Sequence, residues 1–449
     1  KRVQHTRKAF SQTERAAVKR SSTRGKKNRT ASGQKAENIP RKERVLRGWK
    51  TFWERVVAFF KNMIRTPSKK KTAKIIALVF VLVLLLLVAL SSFKIASLSS
   101  IRDSIVNTFH SMLPGGGYPY QVNSSEVEKI GSIGGDLVLL EKGRTVTLSG
   151  TAKETAEKEH TYANPAMSLN DRKVICYNRS GHRYRVETRT DVVYEGKTEE
   201  DEPIITAAIG KKGNIALATL SDKAMSRLTV LSKNYKQTEF VWNCAEYTIT
   251  SVSLSDNGRY VAVSAIGSKD GEIFSKVYVF DFAYTDPVCA FEYPGTAMIS
   301  VHFSSNNDVV AIGDNKIAFL KNLKKNEETE LSTSTVSAFC YSPSGDTIVV
   351  LAEYGSLNSQ ILRCYTAGGK ISFEQKYAEP IKSVTASSGR ITVLCNAHVD
   401  SYGMGGHKYK SYKANADTVT ALRVGNRTYL YESGQIAKAK GKYKGTEGT

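Results

Sequence analysis

Short runs of β-forming residues, each followed by a tight polar turn, recur from about residue 118 onward, and this recurrence constrains the fold more than any other feature. One unit reads ITSVSLSDNGRYVAVSAI, then SKVYVFDF, then VCAFEY; another reads VSAFCYSPSGDTIVVLAE, then QILRCYT, then ISFEQKY. Anchoring each unit on the turn after its first strand gives Gly135, Asp171, Gly213, Gly258, Asn307, Gly345, Gly389 and Asn426. The steps are 36, 42, 45, 49, 38, 44 and 37 residues, averaging about 42. Gly, Asn and Asp at such points supply the positive φ of hairpin turns. Four strands repeating every ~40–45 residues is the spacing of a propeller blade. Solenoid coils are shorter, and a sandwich does not recur eight times. The pattern therefore predicts an all-β fold, a β-propeller of eight four-stranded blades over residues 118–440, with seven blades the alternative.

The eighth unit (TVTALRVG, RTYLYES, QIAKAK) lacks a fourth strand, while YPYQV after the Gly-rich linker is strand-like and unpaired. Pairing Tyr118, Tyr120 and Val122 with the last blade would close the ring and remove exposed edges.

Upstream, the 19 residues Ile75–Phe93 are uncharged and almost wholly apolar. As a helix they reach about 28 Å, close to the ~30 Å hydrocarbon thickness of a bilayer. The run reads as a single transmembrane helix rather than a buried core helix or a signal peptide. The formal charge of +23 divides at this run: residues 1–74 carry 24 basic and four acidic residues, a net of +20, and residues 94–449 carry +3. Arg55, Lys61, Arg65, Lys69, Lys70, Lys71 and Lys74 precede the span, so the positive-inside bias places the N-terminus in the cytoplasm and the repeats outside, at the plasma membrane. The charge thus speaks for an anionic inner leaflet rather than for nucleic acid, which is not an expected partner.

Residues 1–40 lack periodicity and read as a disordered basic cytoplasmic tail. Within 41–66, Trp49, Phe52, Trp53, Val56 and Phe60 fall on one helical stripe, with basic residues over much of the remaining surface. This predicts an amphipathic juxtamembrane helix on the inner leaflet, with Lys69, Lys70, Lys71 and Lys74 near headgroups; packing against a protein is the alternative. Residues 94–117 form a stalk and Gly-rich linker, and 441–449 a disordered tail.

The SDNGRYVAVS and SPSGDTIVVLA units resemble blades of WD-repeat and quinoprotein-type propellers, without the Gly-His and Trp-Asp signatures. The layout of basic tail, single span, PGGGYPYQV and propeller resembles an uncharacterised membrane-anchored family of Gram-positive bacteria, a domain of unknown function. The resemblance covers roughly residues 70–440 and implies no catalytic residue.

Chemistry-bearing residues are scattered. The six cysteines (Cys176, Cys244, Cys289, Cys340, Cys364, Cys395) show no CxxC, and most sit in apolar strands, which reads as free buried thiols. No clustered His/Cys set is visible for zinc. His302 reads as a satisfied core histidine. Glu199–Glu200–Asp201–Glu202 reads as a solvated inter-blade turn, and Ser401–Lys413 as a blade loop. No HExxH, GxSxG or phosphate-binding glycine motif occurs. No cofactor, metal or catalytic residue is expected. The sequence points to a non-catalytic binding or scaffolding module at the cell envelope, partnered by an envelope protein or by a wall polymer that Lys438, Lys440, Lys442 and Lys444 would touch. The alternative is an enzyme or ligand sensor using the central funnel. Oligomeric state is not indicated.

Overall fold

A computed structural model describes residues 115–122, 127–355 and 358–443. The span at 75–93, the helix at 41–66 and every proposed membrane-interface residue lie outside these; among the described residues no helix is long and apolar enough to cross a membrane.

After β1 (Tyr120–Gln121) come eight sheets of strands in sequence order. Blade 1 is β2–β5 (Val127–Ile133, Asp136–Glu141, Arg144–Leu148, Glu154–Glu159) and blade 2 is β6–β9 (Pro165–Leu169, Val174–Asn178, Arg183–Glu187, Val192–Lys197). Blade 3 is β10–β13 (Ile204–Ile209, Ile215–Thr219, Ser226–Leu231, Thr238–Cys244) and blade 4 is β14–β17 (Thr248–Leu254, Tyr260–Lys269, Glu272–Asp281, Pro287–Pro294). Blade 5 is β18–β21 (Met298–Phe303, Val309–Gly313, Lys316–Lys321, Lys325–Glu330) and blade 6 is β22–β25 (Ser334–Tyr341, Thr347–Glu353, Gln360–Tyr365, Ile371–Tyr377). Blade 7 is β26–β29 (Ser383–Ser387, Arg390–Leu394, His398–Gly403, Lys408–Lys413). Blade 8 has β30–β32 (Thr420–Val424, Arg427–Glu432, Gln435–Lys438) and takes β1 as its fourth strand, in the order β1-β32-β31-β30. The fold is the eight-bladed propeller, and the seven-bladed alternative is excluded.

Ring closure is visible residue by residue. Tyr120 pairs with Ile436 and Gln121 with Gln435, antiparallel, and the Val122 amide donates to the Gly434 carbonyl at 2.9 Å. The Tyr118 ring packs 5.0 Å from that of Tyr429, and its hydroxyl donates to the Ser149 carbonyl of blade 1. The Tyr120 hydroxyl donates to Glu154, also on blade 1. Lys438 is committed to this joint, donating to the Gly150 carbonyl and lying over the Tyr118 ring, so it is not a free contact for a polymer.

The core is eight wedges, one at each joint between neighbouring blades, because each sheet has two faces and buries both. Five of the eight anchor turns have positive φ at the anchor (Gly135, Gly213, Gly258, Gly345, Gly389); at the last turn Gly425 takes that role in place of Asn426, and Asp171 and Asn307 keep negative φ. At Gly345 the requirement is also steric, since a Cβ would lie 1.9 Å from the Ser304 carbonyl oxygen. The joints differ in depth. Blades 3 and 4 share thirteen buried apolar residues, whereas blades 7 and 8 share four (Leu394, Val399, Ala421, Leu430). That shallow joint is crossed by the C-terminal segment, where Lys442 bridges to Tyr412 and the Tyr443 amide donates to the Ser411 carbonyl.

Candidate functional site

First strands of neighbouring blades touch around the axis, β10 with β14, β14 with β18 and β26 with β30 among them. Those eight strands hold small and β-branched residues, and their charged side chains are Glu128, Lys129 and Arg423. A hydrolytic funnel needs converging carboxylates; the first strands offer one. Nearby, His302 is half-buried and stacked on Tyr341 of the next blade at 4.2 Å, rather than held by hydrogen bonds in the core. Burial pushes His302 down to about 4, leaving it neutral at pH 7.

A cleft of about 700 Å³ lies elsewhere, between blades 1 and 2. It opens where the β3–β4 turn, the ends of β5 and β9 and the start of β8 share one rim. Arg144, Arg183, Arg185 and Lys197 line it against Glu159 and Glu195, so its lining is net basic. Arg183 and Lys197 are exposed, directly paired across β8 and β9. Like charges opposite one another destabilise a sheet unless something answers them. Arg144 is committed to Glu141 and Glu157, and Lys197 reaches Glu200 at 3.2 Å, but among the described residues Arg183 has no ion pair.

His160, in the link from β5 to β6, adds a directed group. Its Nδ1 accepts the Tyr162 amide at 3.4 Å, which puts the proton of the neutral ring on Nε2, and Nε2 is buried without a partner. Burial, and after it the charge of Arg185, hold this imidazole down at about 4. The ring stacks on Tyr162 at 4.6 Å, and Arg185 lies 6.0 Å from the centre of the Tyr162 ring. Behind this wall, Glu187 accepts from Lys158 Nζ (3.1 Å), Arg185 Nε (2.5 Å) and Thr145 Oγ1 (3.1 Å), all buried. The cleft can therefore offer fixed cations to an oxyanion. It presents no nucleophile paired with a base.

Away from the cleft, all six cysteines are free thiols, four buried and Cys289 and Cys340 partly so. Burial raises Cys289 to about 11 and Cys364 to about 12, which keeps them protonated and unreactive. The acidic run does turn between blades 2 and 3, yet Glu202 is partly buried and pairs with Arg227 at 2.7 Å. Ser401–Lys413 is a hairpin, the second half of β28 and all of β29, rather than a loop, and Lys408 within it pairs with Asp400 at 2.8 Å. The reading that no His/Cys set is clustered is corrected: on blade 7 the fold gathers Glu379, Cys395 and His398, with ligand atoms within 4.8 Å of one another. Cys395 and His398 are spaced C-x2-H, a signal present in the sequence; Glu379 is not adjacent to them in the chain.

Comparison with known proteins places residues 118–440 under the model of a family of unknown function, DUF5711. No curated protein matches the chain in sequence. Among solved structures it resembles Saccharomyces cerevisiae Sqt1 at 7% identity, over 73% of this chain and 100% of that one, with a TM-score of 0.50. It also resembles Chaetomium thermophilum Sqt1 bound to the N-terminus of a ribosomal protein (12% identity, 68% and 94% covered, TM-score 0.49). The C-terminal WD40 domain of Sif2 is similar at 12% identity, 72% and 97% covered, with a TM-score of 0.49. At these identities the likeness is one of fold alone.

Proposed function

The chain belongs to the DUF5711 family of unknown function, and from that premise we propose that it is a single-pass membrane protein displaying its propeller outside the cytoplasm as a non-catalytic binding module. The apolar run Ile75–Phe93 and the +20 charge before it support the anchoring and its orientation. The partner is an anionic envelope component, a wall polymer or an acidic protein segment, gripped in the cleft between blades 1 and 2. One observation carries this: Arg183 and Lys197 stand paired and exposed on the rim of the cleft, and among the described residues Arg183 has no ion pair. A carboxylate or phosphate would answer both with charge-assisted hydrogen bonds.

Fluorescence anisotropy with labelled polyglycerol phosphate and polyglutamate tests the cleft. Both probes are expected to bind a chain lacking the +20 segment 1–74, more weakly as salt rises. The double substitution Arg183→Glu, Lys197→Glu should weaken binding at least about tenfold, since each charge-assisted contact is worth about 1.5–3 kcal/mol. Unchanged affinity in the double variant would remove the cleft as the site. Topology is tested separately. Protease added to intact, wall-stripped cells should digest residues 118–440 and spare 1–74; a protected propeller would reverse the orientation.

A further inference from the structure

We propose a second site, on blade 7: Glu379, Cys395 and His398 bind a divalent transition metal of the zinc class. The hairpin joining β27 to β28 brings two of the three ligands together. Its two-residue turn, Asn396-Ala397, is closed by the Cys395 amide donating to the His398 carbonyl at 2.9 Å. Residues flanking such a turn project side chains from the same face, so thiol and imidazole arrive together. Glu379, in the link from β25 to β26, is clipped over the turn because its Oε2 accepts the Asn396 amide at 3.3 Å. Its other oxygen, Oε1, stands 3.7 Å from His398 Nδ1.

The imidazole supplies an independent pointer to a ligand. His398 is 7% exposed, and its Nδ1 is buried with no hydrogen-bond partner. The Nε2 edge of the ring faces the Asp400 carboxylate at 3.5 Å and its Nδ1 edge faces Glu379, with the Cys395 thiol in the same cluster. This carboxylate–histidine–metal arrangement is the usual way a protein orients a ligating imidazole. Asp400 is itself fixed, 1% exposed and accepting from Lys408 Nζ at 2.8 Å, from the Tyr377 hydroxyl at 3.2 Å and from Ser411. Tyr443 covers the other side, stacked on the His398 ring at 4.6 Å.

Sulfur, nitrogen and oxygen ligands suit zinc, cobalt and copper and exclude calcium and magnesium, which take oxygen shells. Three protein ligands leave the fourth tetrahedral position for water or an incoming group. The metal would tie the blade 6–7 link to the blade 7 hairpin, next to the segment that crosses the shallowest joint of the ring.

The test uses the purified full chain, freed of metal with a chelator and titrated with Co²⁺. A thiolate-to-cobalt charge-transfer band in the near ultraviolet and strong tetrahedral visible absorption are expected, saturating at one equivalent and abolished by one equivalent of Zn²⁺. Cys395→Ser should lose the charge-transfer band. Glu379 is partly exposed, so Glu379→Gln should leave the thermal midpoint of the metal-free chain unchanged while lowering Zn²⁺ affinity by at least about tenfold, the scale at which even outer partners of a ligating histidine matter. Absence of the band in the unmodified chain, or its persistence in Cys395→Ser, overturns the proposal. So does a Glu379→Gln variant that binds Zn²⁺ as tightly as the unmodified chain.

Discussion

Replacing Tyr118, Tyr120 and Val122 together with Ser is expected to lower the stability of the propeller by about 3–6 kcal/mol, judged from ~1.5–3 kcal/mol per fully buried large apolar side chain and the partial burial of these three. All three pack in the wedge between blades 8 and 1, against Leu137, Val146, Tyr429 and Ile436. The substitution also loses the hydroxyl contacts to Ser149 and Glu154 on blade 1, leaving the Gly117 amide's bond to the Thr151 carbonyl. Once β1 detaches, β32 becomes a free edge, and a ring with a free edge invites pairing with another chain. Urea unfolding should show a lower midpoint, and sedimentation should show concentration-dependent association. An unchanged midpoint with a monomeric chain would mean that closure contributes little and that the wedges alone hold the ring.

Ring closure is legible in the amino-acid sequence because both halves of it are local patterns. YPYQV alternates like a strand, and the last unit visibly lacks its fourth. The blade period is legible for the same reason: turn residues at fixed offsets are properties of a few neighbouring positions. The cleft is different. Arg144 and Arg183 reach one rim only because blade 2 packs on blade 1 at the angle an eight-bladed ring imposes, and no window of sequence contains that angle. The buried charges mislead in the other direction. Arg185 and Glu187 alternate with apolar neighbours in β8, whereas Lys158 stands between two glutamates in β5, and no local pattern marks the three as buried together. The blade 7 site falls between these cases. Its C-x2-H half lies within a single turn, whereas Glu379 comes from the link before β26, beyond two strands and a proline.

Glu187→Gln is expected to cost about 3–5 kcal/mol, the scale for removing one partner of a buried ion pair. Two cations surround this one carboxylate, so the substitution leaves Lys158 and Arg185 both buried and uncompensated. Arg185 would keep its bonds to Thr145 Oγ1 (3.0 Å) and to the Lys158 (2.9 Å) and Glu159 carbonyls, and Lys158 its bond to the Thr188 carbonyl (3.0 Å). None of those acceptors carries charge. The more telling variant removes the whole cluster, with Lys158→Met, Arg185→Leu and Glu187→Met together. Replacing a buried ionic triad with apolar residues of similar volume is often neutral or stabilising, so this chain should unfold at or above the urea midpoint of the unmodified one. If stability were the reason for the cluster, the triple variant would be the better protein. The cluster also forms the back wall of the basic cleft, where Arg185 lies near Tyr162 and the neutral His160. The triple variant should therefore stay folded and lose affinity for the anionic probes, separating the two roles within one molecule. A triple variant that is much less stable than the unmodified chain would show that the ions hold the joint; one that is stable and binds unchanged would show that the cleft wall takes no part in recognition.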